Sequence, residues 1–273
     1  MLQTDVPPLR RRAGLRAALR WTRCGAGLLR FHTVTTSAAA PRSAACGLDG
    51  VHLSWDLLAT QVGRPTTAPA GLPEIVARTA EVVQATSLPV LVDLGNAAAD
   101  VHSRAALAHT VQVLEEAGAT GVYLDDVVTG ERSSGPGPAD ADDVTARVRT
   151  AVRARRDPDF LIGARTTVRA EGGLIDSVDR ARACVGAGAD LIVVEAPNSD
   201  TAYTVFREAL SVPLLATTTT TTTTTTVAGS DPTSVPPLTV PQLATFGMDV
   251  VIHPVTPAAG TGDRHRPWRP GPA

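Results

Sequence analysis

Lysine is absent from this chain, whose 25 basic residues are all arginine. This excludes an enzyme that forms a lysine Schiff base with its substrate, and it excludes a Walker A nucleotide-binding loop, which requires lysine. Cysteine is scarce as well, and the spacing of Cys24, Cys46 and Cys184 suits neither a disulfide framework nor a zinc site. Aromatic residues make up only 3% of the chain, so a core must be built from alanine, valine and leucine.

Long apolar runs are also missing, since none approaches the roughly 20 residues that a membrane helix needs. The net charge of −2 at pH 7 gives no reason to expect nucleic acid or an anionic membrane as a partner. The low and odd number of cysteines favours a reducing compartment. Together these absences predict a cytoplasmic protein.

Arginine is concentrated at the N-terminus, where Asp5 is the only acid before Asp49. This composition resembles an organellar transit peptide. The alternative, which we favour, is an arginine-rich surface helix over residues 9–20.

Four apolar runs in the middle of the chain each end on an ionic residue. Their apolar residues are continuous rather than alternating, which predicts strands that are buried on both faces. Four further strand candidates lie outside this central part. The eight candidates span residues 28–36, 50–54, 88–93, 121–126, 160–165, 190–195, 212–216 and 250–255.

Helical patterns separate most of these strands, at residues 72–86, 104–116, 140–154, 176–186 and 200–210. The alternation predicts an α/β fold, a (β/α)8 TIM-type barrel. An open doubly wound sheet is the alternative, but it needs no eighth strand. The tail has no helical pattern, so the eighth helix of the barrel is predicted to be missing. The predicted parts are an arginine-rich segment at 1–27, the barrel at 28–256 and a disordered glycine- and proline-rich tail at 257–273.

Two stretches depart from the strand–helix alternation. Residues 129–141 are rich in glycine, proline and serine and predict a mobile loop after the fourth strand. Residues 217–226 are an unbroken run of threonine and predict a low-complexity loop after the seventh strand.

Ionic side chains are expected to meet at one rim of the barrel. Parallel strands open their carboxyl ends on the same side, so the acids and the arginine that end the central runs would lie together. Carboxylates gathered in this way repel one another unless a cation or a proton joins them. The sequence therefore predicts a functional site at this rim.

The central runs, together with residues 47–54 and 250–256, resemble the isocitrate lyase / phosphoenolpyruvate mutase superfamily. The resemblance covers roughly residues 44–256. It implies an α/β barrel that uses Mg²⁺ and makes or breaks a C–C or C–P bond in a small carboxylate substrate. Such a reaction passes through an enolate, whose developing charge a divalent cation can stabilise.

The resemblance also implies roles for individual residues. Asp93, Asp125 and Asp126 match metal-site carboxylates. Arg165 and Ser54 match residues that hold the substrate carboxylate, and Glu195 matches the glutamate that ends strand six in the lyase-like members. Since neighbouring strand residues point to opposite faces, Asp125 and Asp126 cannot both face the site while the strand stays regular.

Three departures from the family pattern leave the function open. Gly95 replaces the second aspartate of the metal motif, and residues 131–135 lack the cysteine acid of the lyases. The missing cysteine favours substrates like phosphonopyruvate or oxaloacetate. The missing last helix argues against helix exchange between subunits, although a homo-oligomer stays open. The sequence thus leaves two hypotheses. The first is a Mg²⁺-dependent lyase, mutase or hydrolase of a small 2-oxo or 2-hydroxy acid. The second is a catalytically impaired relative that has a binding role or no enzymatic role.

Overall fold

Eight parallel strands close into a barrel in the computed structural model of this chain. The structure describes residues 6–25, 27–55, 57–58, 71–95, 103–128, 137–138, 141–168, 173–195, 199–218 and 238–253. Pairing of the first strand with the last, in the register Leu29 to Val250, closes the ring and excludes the open sheet. The predicted TIM-type barrel is thereby confirmed. The strands are β1 Leu29–Thr33, β2 Gly50–Ser54, β3 Val90–Asp93, β4 Gly121–Asp125, β5 Leu161–Thr167, β6 Leu191–Glu195, β7 Leu214–Thr217 and β8 Val250–His253.

Of the α-helices whose bounds the structure describes, one precedes the barrel and one lies between each pair of successive strands. Two of them, α2 and α8, were not predicted, because six residues are too few to show a helical period. A local signal for α8 was nevertheless present: the side chains of Thr239 and Gln242 form a capping box. The helices are α1 Pro8–Thr22, α2 Ala40–Ala45, α3 Leu72–Ala85, α4 Arg104–Glu116, α5 Ala141–Ala154, α6 Gly173–Gly186, α7 Asp200–Ala209 and α8 Val240–Thr245.

Several sequence predictions fall outside the described residues. A helix after β8 would occupy residues 254–273, so its predicted absence is not tested. The threonine run is described only as far as Thr218. Of the loop at 129–141, the structure describes residues 137–138, which pair antiparallel with Val127–Val128, and the first residue of α5. Within the described ranges, no helix is long and apolar enough to cross a membrane.

Each strand sends alternate side chains to the helices and to the barrel interior. On β4, Val122 and Leu124 pack into the layer between strands and helices, whereas Tyr123 belongs to the interior cluster. The interior is apolar near the start of the strands and becomes polar towards their carboxyl ends. Apolar members of the interior include Leu29, Phe31, Leu91, Leu161, Leu191, Val193, Leu215, Val250 and Ile252.

Helix α1 closes the floor of the barrel, the end at which the strands begin. Leu15 and Leu19 pack into the interior cluster. Arg11 and Arg12 are only 3% and 5% exposed, and Arg12 Nε donates to the carbonyl of Ala119, just before β4, at 2.9 Å. The predicted helix is seen as α1, with one face buried against the barrel and Arg10 and Arg20 exposed on the other. Arg11 and Arg12 are buried because their guanidinium groups satisfy carbonyl oxygens at the floor.

A repeated turn, which we call the Gly-x-Asp lock, joins helix to strand on the same floor. A glycine with positive φ follows the end of the helix. Two residues later, an aspartate accepts a hydrogen bond from a backbone N–H of the preceding strand. In the lock before β6, Gly188 has φ of 106° and Asp190 Oδ2 accepts from Ile162 N at 2.9 Å. The equivalent pairs are Gly47 with Asp49 before β2, bound to Arg30 N, and Gly247 with Asp249 before β8, bound to Leu214 N.

The turn before β4 follows the same plan with a different side chain. Gly118 has φ of 95°, and Thr120 stands where the other turns have aspartate. Its hydroxyl donates to the carbonyl of Val90 in β3 at 2.8 Å. Helix α1 binds directly to two of the three locks, since Arg16 pairs with Asp190 at 3.0 Å and Thr22 donates to Asp249 at 2.8 Å.

We expect Gly50→Ala to destabilise the barrel by about 1–3 kcal/mol, because overpacking a rigid core is costly. A Cβ on Gly50 would overlap the ring of Phe31, which is 1% exposed. Urea unfolding would measure the loss. Gly186→Ala is the control, since a Cβ there meets no atom within 4 Å and lies in a helix, where alanine is favoured. Equal stability of the two variants would contradict the packing argument.

Candidate active site

Arg165, Asp93 and Asp125 converge at the carboxyl ends of the strands. Arg165 Nη1 lies 3.1 Å from Asp93 Oδ2, and Nη2 lies 2.5 Å from Asp125 Oδ2. The two acids are 3% and 4% exposed. The predicted convergence of these side chains is therefore seen in the structure, although β3, β4 and β5 are far apart in the sequence.

Arg165 is the cation that joins the two carboxylates. Burial acts to lower the pKa of Arg165, but the charge of Asp93 and the hydrogen bond that Arg165 donates to Asp125 outweigh it, and the pKa is raised. The guanidinium is therefore permanently charged. Because it lies between the acids, it removes the repulsion that Asp93 and Asp125 would otherwise exert on each other.

The same cluster contains a buried donor and a buried acceptor that are both unused. Arg165 Nε and Asp125 Oδ1 have no hydrogen-bond partner among the described residues. Both oxygens of Asp93 already have a partner, since Oδ1 accepts from Gly95 N at 2.8 Å and Oδ2 faces Arg165. Buried polar atoms without partners are uncommon in folded proteins. Both atoms therefore keep an unused hydrogen-bonding capacity within the cluster.

Asp126 does not face this cluster. It is buried on the opposite face of the chain, where its Oδ2 accepts from Thr166 Oγ1 at 3.2 Å and lies 3.3 Å from Arg180 Nε. Burial, and after it the charge of Asp125, raises the pKa of Asp126. The prediction that Asp126 is a metal ligand beside Asp93 and Asp125 is not supported by this geometry, because consecutive residues point to opposite sides.

No group of three or more His, Cys, Asp or Glu side chains is placed to hold a metal ion within the residues that the structure describes. The predicted ligand set of three carboxylates is therefore not assembled. Asp93 and Asp125 remain as a pair. Gly95, which stands where the family has a further aspartate, has φ of 48° and offers no side-chain oxygen.

Ser54 and Glu195 lie on the interior side of their strands. Ser54, 7% exposed, is the register neighbour of Asp93, which places it beside the acid–arginine cluster. Glu195 is exposed at the mouth and accepts from Thr167 Oγ1 at 3.1 Å. Trp55, which follows Ser54, is 4% exposed and packs in the outer layer of the core.

His52 and Tyr123 lie in the barrel interior, on the floor side of the cluster. Neither was identified as a site residue from the sequence. His52 Nε2 lies 2.8 Å from the Tyr123 hydroxyl, and their rings stack with centroids 5.8 Å apart. Tyr123 is the register neighbour of Asp93, and its ring centroid lies 5.8 Å from the guanidinium carbon of Arg165. Strand alternation could have found both, since each lies two residues before a predicted site residue, Ser54 and Asp125 respectively.

Acid is expected to weaken the fold through His52. Burial lowers the pKa of His52 to about 4, whereas histidine in an unfolded chain titrates near about 6.5. Between these values the unfolded state binds more protons. The contribution is complete above about pH 6.5, and the free energy of unfolding should fall by roughly 1.4 kcal/mol per pH unit below it. Burial also lowers the pKa of His32 and His253, which adds to the slope.

Urea unfolding between pH 4.5 and 7.5 would measure this dependence. His52→Gln, which cannot take up a proton, is expected to reduce the slope by about one proton. An identical slope in the variant would contradict the assignment to His52.

Comparison with protein families and curated proteins identifies relatives. The family model for phosphoenolpyruvate phosphomutase matches residues 28–260. A probable 2-methylisocitrate lyase of Corynebacterium glutamicum is 32% identical over 259 residues, which are 94% of this chain and 78% of that protein. The 2-methylisocitrate lyase of Escherichia coli is 34% identical over 179 residues, covering 62% of this chain and 58% of that protein.

Solved structures share the fold. A 2,3-dimethylmalate lyase superposes with a TM-score of 0.73 at 21% identity, covering 93% of this chain and 81% of that chain. A phosphonopyruvate hydrolase in complex with oxalate and Mg²⁺ superposes with a TM-score of 0.72 at 21% identity, covering 90% and 80%.

Proposed function

Because the chain belongs to the phosphoenolpyruvate phosphomutase family, we propose that it cleaves or rearranges a C–C or C–P bond in a small 2-oxo or 2-hydroxy acid through an enolate. The observation that carries the proposal is the buried fork of Arg165 at the barrel mouth, which binds Asp93 and Asp125 and keeps Nε unused. TIM-type barrels hold their active sites at this end.

Arg165 is the residue that would bind the substrate carboxylate. A guanidinium presents five N–H donors in a rigid fork that matches a carboxylate. Two of its nitrogens face Asp93 and Asp125, and the third, Nε, has no partner among the described residues. Ser54 adds a hydroxyl beside Asp93, and Glu195 an acid at the rim. The acid pair orients Arg165, and burial keeps bulk water from the carboxylate that it binds.

Among the described residues, Asp93 and Asp125 are the carboxylates that would hold Mg²⁺. Asp125 Oδ1 is a buried carboxylate oxygen without a partner in the described parts of the chain, and carboxylate oxygen is what this ion prefers. Mg²⁺ commonly binds proteins through one or two carboxylates and keeps several waters. When bound, it would supply positive charge to an enolate oxygen.

Calorimetry with Mg²⁺ and oxalate, a stable mimic of the enolate, tests this function. We expect Mg²⁺ to bind more tightly when oxalate is present, since the protein offers few ligands of its own. Absence of Mg²⁺ binding under both conditions would overturn the metal assignment.

The substrate can be identified by product release: cleavage of 2-methylisocitrate or phosphonopyruvate and decarboxylation of oxaloacetate each yield pyruvate, whereas hydrolysis of oxaloacetate yields oxalate and acetate, so both pyruvate and acetate are assayed. The lyase names of the relatives favour the first, and the absence of cysteine at residues 131–135 favours the other two. Release from none of the three, with oxalate binding intact, would instead support a relative that binds carboxylates without turnover. The glycine at position 95 favours that second function.

Gly95→Asp is expected to raise Mg²⁺ affinity by about tenfold or more, because it adds a carboxylate beside the Asp93–Asp125 pair. The backbone permits the change, since aspartate tolerates the positive φ of 48° at this position. Gly95→Asn is the matched control, with the same shape but no charge. Equal Mg²⁺ affinity in both variants would contradict the placement of the metal.

A further inference from the structure

The ring of Tyr123 lies on the floor side of Arg165 in the barrel interior. Tyr123 is the register neighbour of Gly163, and Arg165 follows two residues later on the same face of β5. The guanidinium carbon of Arg165 lies over the ring, at 5.8 Å from its centroid, which is within the roughly 6 Å of a cation–π contact. Tyr123 is 1% exposed, so water does not weaken this contact.

The glycine at position 163 leaves room for the ring. A Cβ at this position would lie 2.8 Å from Tyr123 Cβ and 2.6 Å from Leu191 Cδ1. These distances are too short for real Cβ atoms, so any larger residue would displace Tyr123 or Leu191. The strand that carries Arg165 therefore also provides the space in which its aromatic neighbour lies.

A hydrogen bond fixes the far end of the Tyr123 ring. The Tyr123 hydroxyl lies 2.8 Å from His52 Nε2, and the two rings stack. His52 Nδ1 lies 2.9 Å from Thr33 Oγ1, so both ring nitrogens of His52 have a partner. Since β2 and β4 are separated by β3 in the barrel, the ring spans the interior beneath the mouth. It cannot swing away without breaking a buried hydrogen bond.

The two acids alone leave one motion of the Arg165 guanidinium free. Asp93 and Asp125 hold its terminal nitrogens at 3.1 Å and 2.5 Å. Two such contacts define a line, and the group can still tilt about that line. The tilt would move Nε, the donor that has no partner among the described residues. A ring against the face of the guanidinium supplies the third contact, which fixes the tilt.

We propose that Tyr123 is a positioning residue, whose ring holds the guanidinium of Arg165 at the tilt in which it receives the carboxylate of the substrate. His52 fixes the ring, and Gly163 makes room for it. The catalytic meaning rests on the proposed function. The contact between ring and guanidinium belongs to the free protein and can be tested separately.

The first test is the ring-current shift of the Arg165 side-chain protons, measured by NMR on the free protein. Their resonances are identified by their absence from Arg165→Lys. We expect them upfield of those of exposed arginines, because protons over the face of an aromatic ring are shielded. Tyr123→Phe should keep this shift, and Tyr123→Leu should lose it. Unshifted Arg165 protons in the parent protein would overturn the proposal, whatever the protein catalyses.

The second test compares two substitutions of Tyr123 by oxalate calorimetry. Phenylalanine keeps the ring and loses the hydroxyl, whereas leucine loses the ring. We expect Tyr123→Phe to keep oxalate affinity within about threefold and Tyr123→Leu to lose about tenfold, the cost of ordering one mobile side chain on binding. Equal affinity in the two variants would overturn the positioning role of the ring.

Phe31→Leu is the matched control. Phe31 is a buried ring of the same interior cluster, but it packs against Gly50 at the start of β2 rather than beneath the mouth. Phe31→Leu should lower the urea midpoint as Tyr123→Leu does, and it should leave oxalate affinity unchanged. An equal loss of oxalate affinity in both variants would show that only the packing of the interior matters, and would overturn the proposal. If the parent itself binds no oxalate, the proposed function fails, and the NMR measurement still decides whether the ring holds Arg165.

Discussion

Replacing Arg165 with alanine is expected to abolish oxalate binding and to lower the free energy of unfolding by about 3–5 kcal/mol. The substitution removes the only described cation between Asp93 and Asp125, which are 3% and 4% exposed. Two buried carboxylates would then face each other without a counter-charge. Oxalate calorimetry and urea unfolding measure the two effects on the same protein.

Two controls separate binding from stability. Arg165→Lys keeps one charge but loses the fork, so we expect it to restore much of the stability while oxalate affinity stays at least about 100-fold lower. Arg180→Ala breaks the pair with Asp126 on the outer face, 3.3 Å long. It should reduce stability and leave oxalate affinity unchanged. Oxalate affinity that survives in Arg165→Ala would show that the carboxylate binds elsewhere.

Arg12→Ala is expected to lower the free energy of unfolding by about 3–5 kcal/mol, because it leaves buried acceptors and a buried acid without their partner. Arg12 donates to the carbonyls of Ala119 and Glu115, pairs with Asp157 at 3.1 Å and lies over the ring of Phe160. It therefore joins α1 to the floor beneath β4 and β5. Urea unfolding monitored by circular dichroism would measure the loss.

Arg10→Ala is the matched control, since Arg10 lies on the same helix and is exposed. Surface substitutions of this kind change stability little. Similar unfolding midpoints for Arg10→Ala and Arg12→Ala would show that α1 rests on the barrel without stabilising it.

The barrel could be predicted from the sequence because its strands are continuous apolar runs that alternate with long amphipathic helices. Helices α2 and α8 escaped prediction because six residues each cannot show a period. The burial of one face of α1 was not predicted, for a different reason. Arg11 and Arg12 donate to carbonyls that lie 72 and 107 residues further along the chain. A local sequence pattern cannot indicate hydrogen-bond partners at that distance.

The site residues that lie at the ends of strands could be predicted from the sequence. Asp93, Asp125 and Arg165 follow from the parallel order of β3, β4 and β5. Asp126 was assigned to the same cluster by family resemblance, although alternation places it on the other face. Tyr123 was treated as part of an apolar run, and only the structure shows that its hydroxyl lies 2.8 Å from His52 Nε2.

The Gly-x-Asp locks divide the barrel into pairs of strands. Each lock ties an even-numbered strand to the odd-numbered strand before it: Asp49 joins β2 to β1, Asp190 joins β6 to β5, and Asp249 joins β8 to β7. Thr120 does the same for β4 and β3. A chain opened between β4 and β5 would leave every lock intact, whereas a break within a pair would destroy one. The pair of strands, rather than the single strand–helix unit, is therefore the smallest piece of this barrel that keeps its lock, and the pair β3–β4 carries Asp93, Tyr123 and Asp125 together.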